Sequence, residues 1–217
     1  GMDKEFTKKV LAAADLPVAP EVILKGRTEL SAEEKQRLGL PVFVKPARGG
    51  SSIGVSKVST WEEFPAAVAL ALEDDEKILV EPEIVGKEVE IGVLHYADGT
   101  LLASVPALLA GIDDSDEGFY GFDTKYLDNV VTAEIPAPFA PELTEKLRDM
   151  AIRAFEALNC EGLSRVDFFV TKDSVYINEI NTLPGFTPIS MYPQVLAASG
   201  VEYPALLEAL IEQALAK

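Results

Sequence analysis

The chain has 217 residues, 48% of them hydrophobic and 25% charged, with a formal net charge of −17. That length can bury a core as one domain or as two small lobes, while so acidic a surface repels phosphate backbones and argues against nucleic acid as a partner. No apolar run reaches the ~18–20 residues of a membrane span, and the single cysteine allows no internal disulfide, which suits a reducing cytoplasm.

Gly1 ahead of Met2 reads as a remnant of tag removal. Phe6, Val10, Leu11 and Ala14 share a helical face, and Pro17 and Pro20 stop that helix. Residues 18–24 read as a strand. Ser31 and Glu34 form a capping-box pattern for a short helix that Gly39 ends. An apolar strand over 41–45 finishes in Lys45. A small-residue loop follows at 47–54, then a strand at 55–58. Thr60 is the expected cap of a helix over 61–72, headed by Trp61 as a packing residue. A strand over 77–81 runs into Pro82 and Gly86.

Beyond Glu88 the pattern alternates. Strands at 88–94 and 101–105 flank a hairpin turn at Asp98-Gly99. Residues 111–129 make a long polar loop with glycines, a length typical of lids and insertions. A strand at 130–135 and an amphipathic helix at 142–158 come next. Two strands, 163–171 and 175–181, read as a hairpin. Helices near 189–199 and 203–216 complete the chain. The fold class is α+β in two lobes, residues 1–86 and 87–217. His95, the only histidine, is expected on the surface, and Cys160 is expected to be a small buried hydrophobe.

The last hairpin concentrates chemistry. With Lys172-Asp173-Ser174 as its loop, Thr171 pairs with Val175, Asp167 with Glu179, and Arg165 with Asn181. Direct partners, and residues two apart, share a face. Arg165, Asp167, Glu179 and Asn181 then project together, with Val166, Phe168, Val170, Tyr176 and Ile180 opposite them as core. A slip of one residue would break the arrangement. Two carboxylates and an amide oxygen suit Mg²⁺, a hard cation that shares its shell with phosphates. The adjacent arginine can hold developing negative charge. An ion pair on an exposed hairpin is the alternative.

Lys45 at the end of an apolar strand needs an anionic partner or a route to water. The loop after it, residues 47–54, is small enough for backbone N–H groups to approach an oxyanion, and Ser51 and Ser52 add hydroxyl donors. It is not a P-loop, because strands flank it on both sides. The alternative is a glycine-rich hairpin turn. Residues 81–88 cross between the lobes. Such a hinge can offer backbone groups to an adenine, with Glu88 as a ribose acceptor, or serve only as a charged linker.

In this order the pieces resemble the D-alanine–D-alanine ligases of the ATP-grasp superfamily. The resemblance rests on Val44-Lys-Pro with Gly50-Ser-Ser-Ile-Gly54, on Lys125-Tyr126, on Arg165-Val-Asp167, and on Asn178-Glu-Ile-Asn-Thr-Leu-Pro-Gly-Phe-Thr187. It implies an ATP-grasp fold with nucleotide between two lobes. It also implies ATP and two Mg²⁺ ions, replaceable by Mn²⁺, as cofactors. The implied reaction joins two D-alanines through a D-alanyl phosphate for peptidoglycan precursors, in a cytoplasmic homodimer.

Residue by residue, the resemblance gives Lys4 and Lys45 to the phosphates, beside the 47–54 loop whose Ser52 adds a hydroxyl donor. It gives Glu81 and the backbone near Ile84 to the adenine, and Glu88 to the ribose. Asp167 and Glu179 would hold one Mg²⁺, Glu179 and Asn181 the other. Arg165 and the N–H of Gly185 would face the tetrahedral oxyanion. Ser190 and the backbone of Met191 would take the second D-alanine's carboxylate. Ser51 and Tyr126 would belong to a triad near the first D-alanine, and Lys125 would reach the γ-phosphate.

Two departures stand out. The family's lid often reads Phe-Tyr-Asp-Tyr, whereas residues 119–122 here read Phe-Tyr-Gly-Phe. Family members also open with a further domain that supplies the triad's glutamate; the matching region here begins at Met2. Alternative functions are another ATP-grasp carboxylate–amine ligase and a non-catalytic nucleotide-binding module.

Overall fold

The computed structural model describes residues 1–110, 132–187 and 189–216. Helix α1 is Lys4–Ala13, with Asp3 accepting from the Phe6 N–H at its N-terminus. Strand β1 (Val22–Lys25) and helix α2 (Ala32–Leu38) follow, and Ser31 and Glu34 close the expected capping box. Then come β2 (Val42–Pro46), β3 (Ser56–Val58), α3 (Phe64–Ala71) and β4 (Lys77–Pro82). These four strands form one antiparallel sheet in the order β1-β4-β2-β3.

A second, six-stranded sheet carries β5 (Lys87–His95), β6 (Leu101–Ala103), β7 (Ala107–Ala110), β8 (Thr132–Glu134), β9 (Leu163–Val170) and β10 (Val175–Asn181). Helices α4 (Pro141–Ala157), α5 (Met191–Ala198) and α6 (Tyr203–Leu215) pack on it. Strand β9 lies between β10 and β5.

Three apolar clusters follow from this. Val42, Val44, Ile78 and Val80 of the small sheet pack against Phe64 and Val68 of α3, with Trp61 beside them. Val89, Ile91, Val166 and Phe168 pack on one face of the large sheet against Leu147, Met150 and Phe155 of α4. The other face carries Leu94, covered by Tyr192 and Leu196 of α5 and Leu206 of α6. Gly92 makes that approach close: a Cβ there would sit 2.4 Å from a Leu196 methyl.

Leu11 and Leu16, from α1 and just beyond it, belong to the large sheet's core. The start of the same helix is bound to the small lobe, where the Lys4 N–H donates to the Ala47 carbonyl at 2.9 Å. Helix α1 therefore straps the two sheets together.

Several expectations change. The strand expected at 18–24 splits: Val18 bridges Ile177 in parallel, and the chain enters the small sheet only from Val22 onward. Pro20 stands between them and has no N–H for a ladder. Thr60 does not cap α3. Glu63 is the N-cap residue, its carboxylate accepts from the Ser59 and Thr60 N–H groups, and Pro65 sits in the first turn, where no N–H is needed. The strand expected at 101–105 ends at Ala103, and β7 is an additional strand. His95 is half-buried with its ring edge-on to Phe155, rather than a surface residue.

The hairpin itself holds the sharpest difference. Val175 pairs with Val170, not Thr171, and Ile177 with Phe168. A bulge between Ile177 and Glu179 then shifts the register, so that Glu179 opposes Asp167 and Asn181 opposes Arg165 as expected. The tight end is a four-residue turn in which the Thr171 N–H donates to the Ser174 carbonyl at 2.8 Å. Ile177, not Tyr176, consequently faces the core. The extra residue of a bulge is what permits both registers within one strand.

Candidate functional site

A cleft of about 370 Å³ lies between the sheets. The small sheet presents Phe43, Lys45 and Glu81 to it, opposite in pleat to the buried Val42, Val44 and Val80. The large sheet presents Glu88, Glu90 and Asp167 from β5 and β9, and Asn178 and Glu179 from β10. Lys4, Ser51 and Ser52 close one side and residues 82–87 the other. At that hinge the chain runs close to β9: a Cβ on Gly86 would sit 2.8 Å from the Val170 carbonyl oxygen.

Of the expected residues, Lys4, Lys45, Ser51, Ser52, Glu81, Ile84, Glu88, Asp167 and Glu179 line the cleft. Arg165 and Asn181 adjoin it through Asp167. The Arg165 guanidinium donates to both Asp167 oxygens at 2.7 Å, and Asn181 Nδ2 donates to Asp167 Oδ2 at 2.9 Å. Gly185, Ser190 and Met191 gather at the start of α5, off the cleft lining. A Cβ on Gly185 would lie 3.0 Å from Ser190 Oγ, which accepts from the Thr187 N–H at 3.0 Å. Lys125, Tyr126, Gly121 and the expected lid at 111–129 fall outside the described residues.

The electrostatics are paired throughout. Lys4 Nζ donates to the Gly49 carbonyl at 2.7 Å and lies 3.9 Å from Glu179, so it joins the glycine loop to the carboxylate hairpin. Burial would lower the Lys45 ammonium, but Glu81 beside it holds it above its usual value. Burial likewise would raise the Glu81 carboxyl, yet Lys45 and Lys8 together hold it down. Ser51 and Ser52 both adopt left-handed backbone, φ 53° and 58°, uncommon for residues with a Cβ and frequent at ligand sites.

Three residues escaped the sequence reading. Glu90 is 3% exposed and sits 3.1 Å from Arg165 Nε, behind the Arg165–Asp167 pair. Its place opposite Asp167 across β5 and β9 is non-local and leaves no local pattern. Asp75 grips the start of the glycine loop, accepting from the Arg48 side chain at 2.6 and 3.0 Å and from its N–H at 2.8 Å. Lys8 is buried against Glu81 and Glu21. The helical spacing of Lys4 and Lys8 was the one available signal for it.

Two sheets enclosing a cleft, with Lys4, Lys45 and Glu81 on one side and Glu88, Glu90, Asp167 and Glu179 on the other, are the arrangement of the ATP-grasp class of proteins. Residues 10–212 match the family described as D-ala D-ala ligase C-terminus, and the chain belongs to that family. It is 66% identical over 215 residues to a D-alanine–D-alanine ligase from Corynebacterium efficiens, covering 99% of this chain and 60% of that protein. Among solved structures it resembles the D-alanine–D-alanine ligase from Coxiella burnetii, with TM-score 0.84 and 36% identity over 99% of this chain and 56% of that one. It also resembles the ligase from Bacillus anthracis complexed with ATP, with TM-score 0.81 and 27% identity over 99% and 66% of the respective chains. The chain thus spans about 60% of the length of the curated relatives it matches.

Proposed function

We propose that this chain binds ATP with Mg²⁺ in the cleft and forms the phosphoryl-transfer and ligation centre of a protein that joins two D-alanines through a D-alanyl phosphate. The observation that carries the reading is the opposition of Asp167 and Glu179 across the hairpin, with Arg165 and Asn181 beside them and Lys4 and Lys45 facing them. The two lobes would be residues 1–86 and 87–217, with α1 strapping them. The whole protein is read as a cytoplasmic homodimer without nucleic-acid partners, supplying peptidoglycan precursors. Among the described residues no helix is long and apolar enough to cross a membrane.

Asp167, Glu179 and Asn181 supply hard oxygen donors of the kind Mg²⁺ prefers. Among the described residues no group of three or more His, Cys, Asp or Glu forms a metal cluster. The guanidinium of Arg165 bridges both Asp167 oxygens, so Asp167 already draws a cation into this position. Asp167 and Glu179 would hold one ion, and Glu179 and the amide oxygen of Asn181 the second. Bound Mg²⁺ would neutralise phosphate charge and align the transfer.

The chain's own groups do the rest. Lys4, Lys45 and the loop bearing Ser52 balance the phosphates. Glu81 and the hinge backbone near Ile84 position the adenine, and Glu88 accepts from the ribose. A D-alanine carboxylate near Ser51 takes the γ-phosphoryl group. The amine of a second D-alanine, its carboxylate held by Ser190 and the Met191 backbone, then loses a proton and attacks the acyl carbon, and inorganic phosphate leaves as the amide bond forms. Arg165 and the Gly185 N–H oppose the oxyanion that forms. Lys125 and Tyr126, which the resemblance assigns to the γ-phosphate and the first D-alanine, lie outside the described residues.

Calorimetry with Mg-ADP tests the nucleotide reading. Heat of binding and a rise in Tm are expected, about 2.7 kcal/mol of stabilisation at a hundredfold excess over Kd. Absence of both at millimolar nucleotide would overturn it. ADP release that depends on D-alanine, in the protein at its relatives' full length, tests the substrate.

A further inference from the structure

Lys8 is 4% exposed, on the second turn of α1, and is absent from the cleft lining. A buried ammonium must be paired or it is costly. It is paired twice: with Glu21 Oε2 at 3.1 Å and with Glu81 Oε1. The other oxygen of Glu81 holds Lys45. One carboxylate is therefore divided between a lysine that faces the cleft and a lysine that does not. The cluster comprises two cations, Lys8 and Lys45, and two anions, Glu21 and Glu81.

We propose that Lys8 is a positioning residue of the nucleotide site, which by sharing Glu81 leaves the Lys45 ammonium charge for phosphate oxygens. The inference rests on the nucleotide reading above. It follows from charge and geometry. With Lys8 gone, Glu81 has Lys45 as its one remaining partner in the cluster and holds it back from a ligand. Glu21, half-buried beside Lys8, then loses its ion-pair partner. The cluster turns from neutral to net −1, next to the place where phosphates bind. In a site of low effective dielectric that charge acts strongly at short range. The loss must scale with the ligand's phosphate charge and should spare an uncharged nucleoside.

The test compares Kd for Mg-ADP and for adenosine across variants of this chain. Lys8→Met should weaken Mg-ADP by about tenfold or more, with little change for adenosine. Lys8→Arg should keep the unmodified ratio. Glu21→Gln leaves the cluster net +1 and should tighten Mg-ADP relative to adenosine, a gain that a destabilised protein would not show. Lys8→Met combined with Glu21→Gln restores neutrality and should recover much of the lost ADP affinity. Equal losses for both ligands in Lys8→Met would overturn the inference and reduce Lys8 to a fold anchor. Should Lys8→Met fail to fold, an unchanged ADP-to-adenosine ratio in Glu21→Gln would overturn it instead. Absence of ADP binding by the unmodified chain would overturn the nucleotide reading, and this inference with it.

Discussion

Glu179 stands directly opposite Asp167 although Ile177, two residues earlier, pairs with Phe168 rather than Phe169. The bulge between them takes up one residue, so Asn178 and Glu179 both lie on the cleft side while Val175, Ile177 and Ile180 point into the core. Truncation should expose this. Ile177→Ala is expected to cost about 2–4 kcal/mol by urea unfolding, a buried large-to-small change. Tyr176→Ala, on the half-exposed side, should cost under about 1.5 kcal/mol. The reverse ranking would mean an unbulged strand.

The opposed carboxylates predict a metal dependence. Glu179→Gln should remove most of the improvement in ADP affinity that Mg²⁺ brings, a loss of about tenfold or more. Asn181→Ala should remove less, because Asn181 is assigned to one ion and Glu179 to both. Titrations with and without Mg²⁺ measure this. Equal small effects would remove the metal assignment from β10.

Glu90 gives a prediction about stability. Burial would lower the Arg165 guanidinium, but Asp167 and Glu90 hold it firmly charged. Glu90→Ala removes one support of that buried charge while Asp167 keeps the other. A destabilisation of about 1–3 kcal/mol is expected, measured by chemical denaturation. No loss would mean that Asp167 alone satisfies Arg165.

Asp75 predicts part of the acid limb. The Arg48 side chain, with backbone N–H groups of Lys77 and Arg48, lowers this carboxyl from its ordinary 3.8 to about 2. A depressed folded value means the contribution is fully present above about pH 4 and is lost as pH falls toward 2. Arg48→Ala should therefore lower the urea midpoint at pH 5, and the difference from the unmodified chain should shrink as pH falls from 4 to 2. A difference constant over that window would separate Asp75 from acid unfolding.

Much of this protein was legible locally. The capping box at Ser31 and Glu34 and the turn at Asp98-Gly99 are short-range patterns that appear where expected, and the apolar strand expected over 41–45 appears one residue on, as Val42–Pro46. The four polar residues of the hairpin were also placed together correctly, though by a compensation. A one-residue error at the Thr171 turn was cancelled by a bulge at Asn178. Alternation cannot reveal such a pair of offsets, because Tyr176 and Ile177 are both hydrophobic enough to face a core.

What the sequence determined by itself was the family, most of the elements and most of the side chains that carry charge into the cleft, since these depend on residue type and local spacing, though neither β7 nor Glu90 was among them. Tertiary structure alone decided their partners. Glu81 is held between Lys8 of α1 and Lys45 of β2, 73 residues from the first. Glu90 backs Arg165 from a neighbouring strand, and α1 roots Leu11 in the large core while Lys4 binds the glycine loop. Buried charges must find counter-charges wherever the fold brings them, and those pairings join segments far apart in the chain, where no local period can record them.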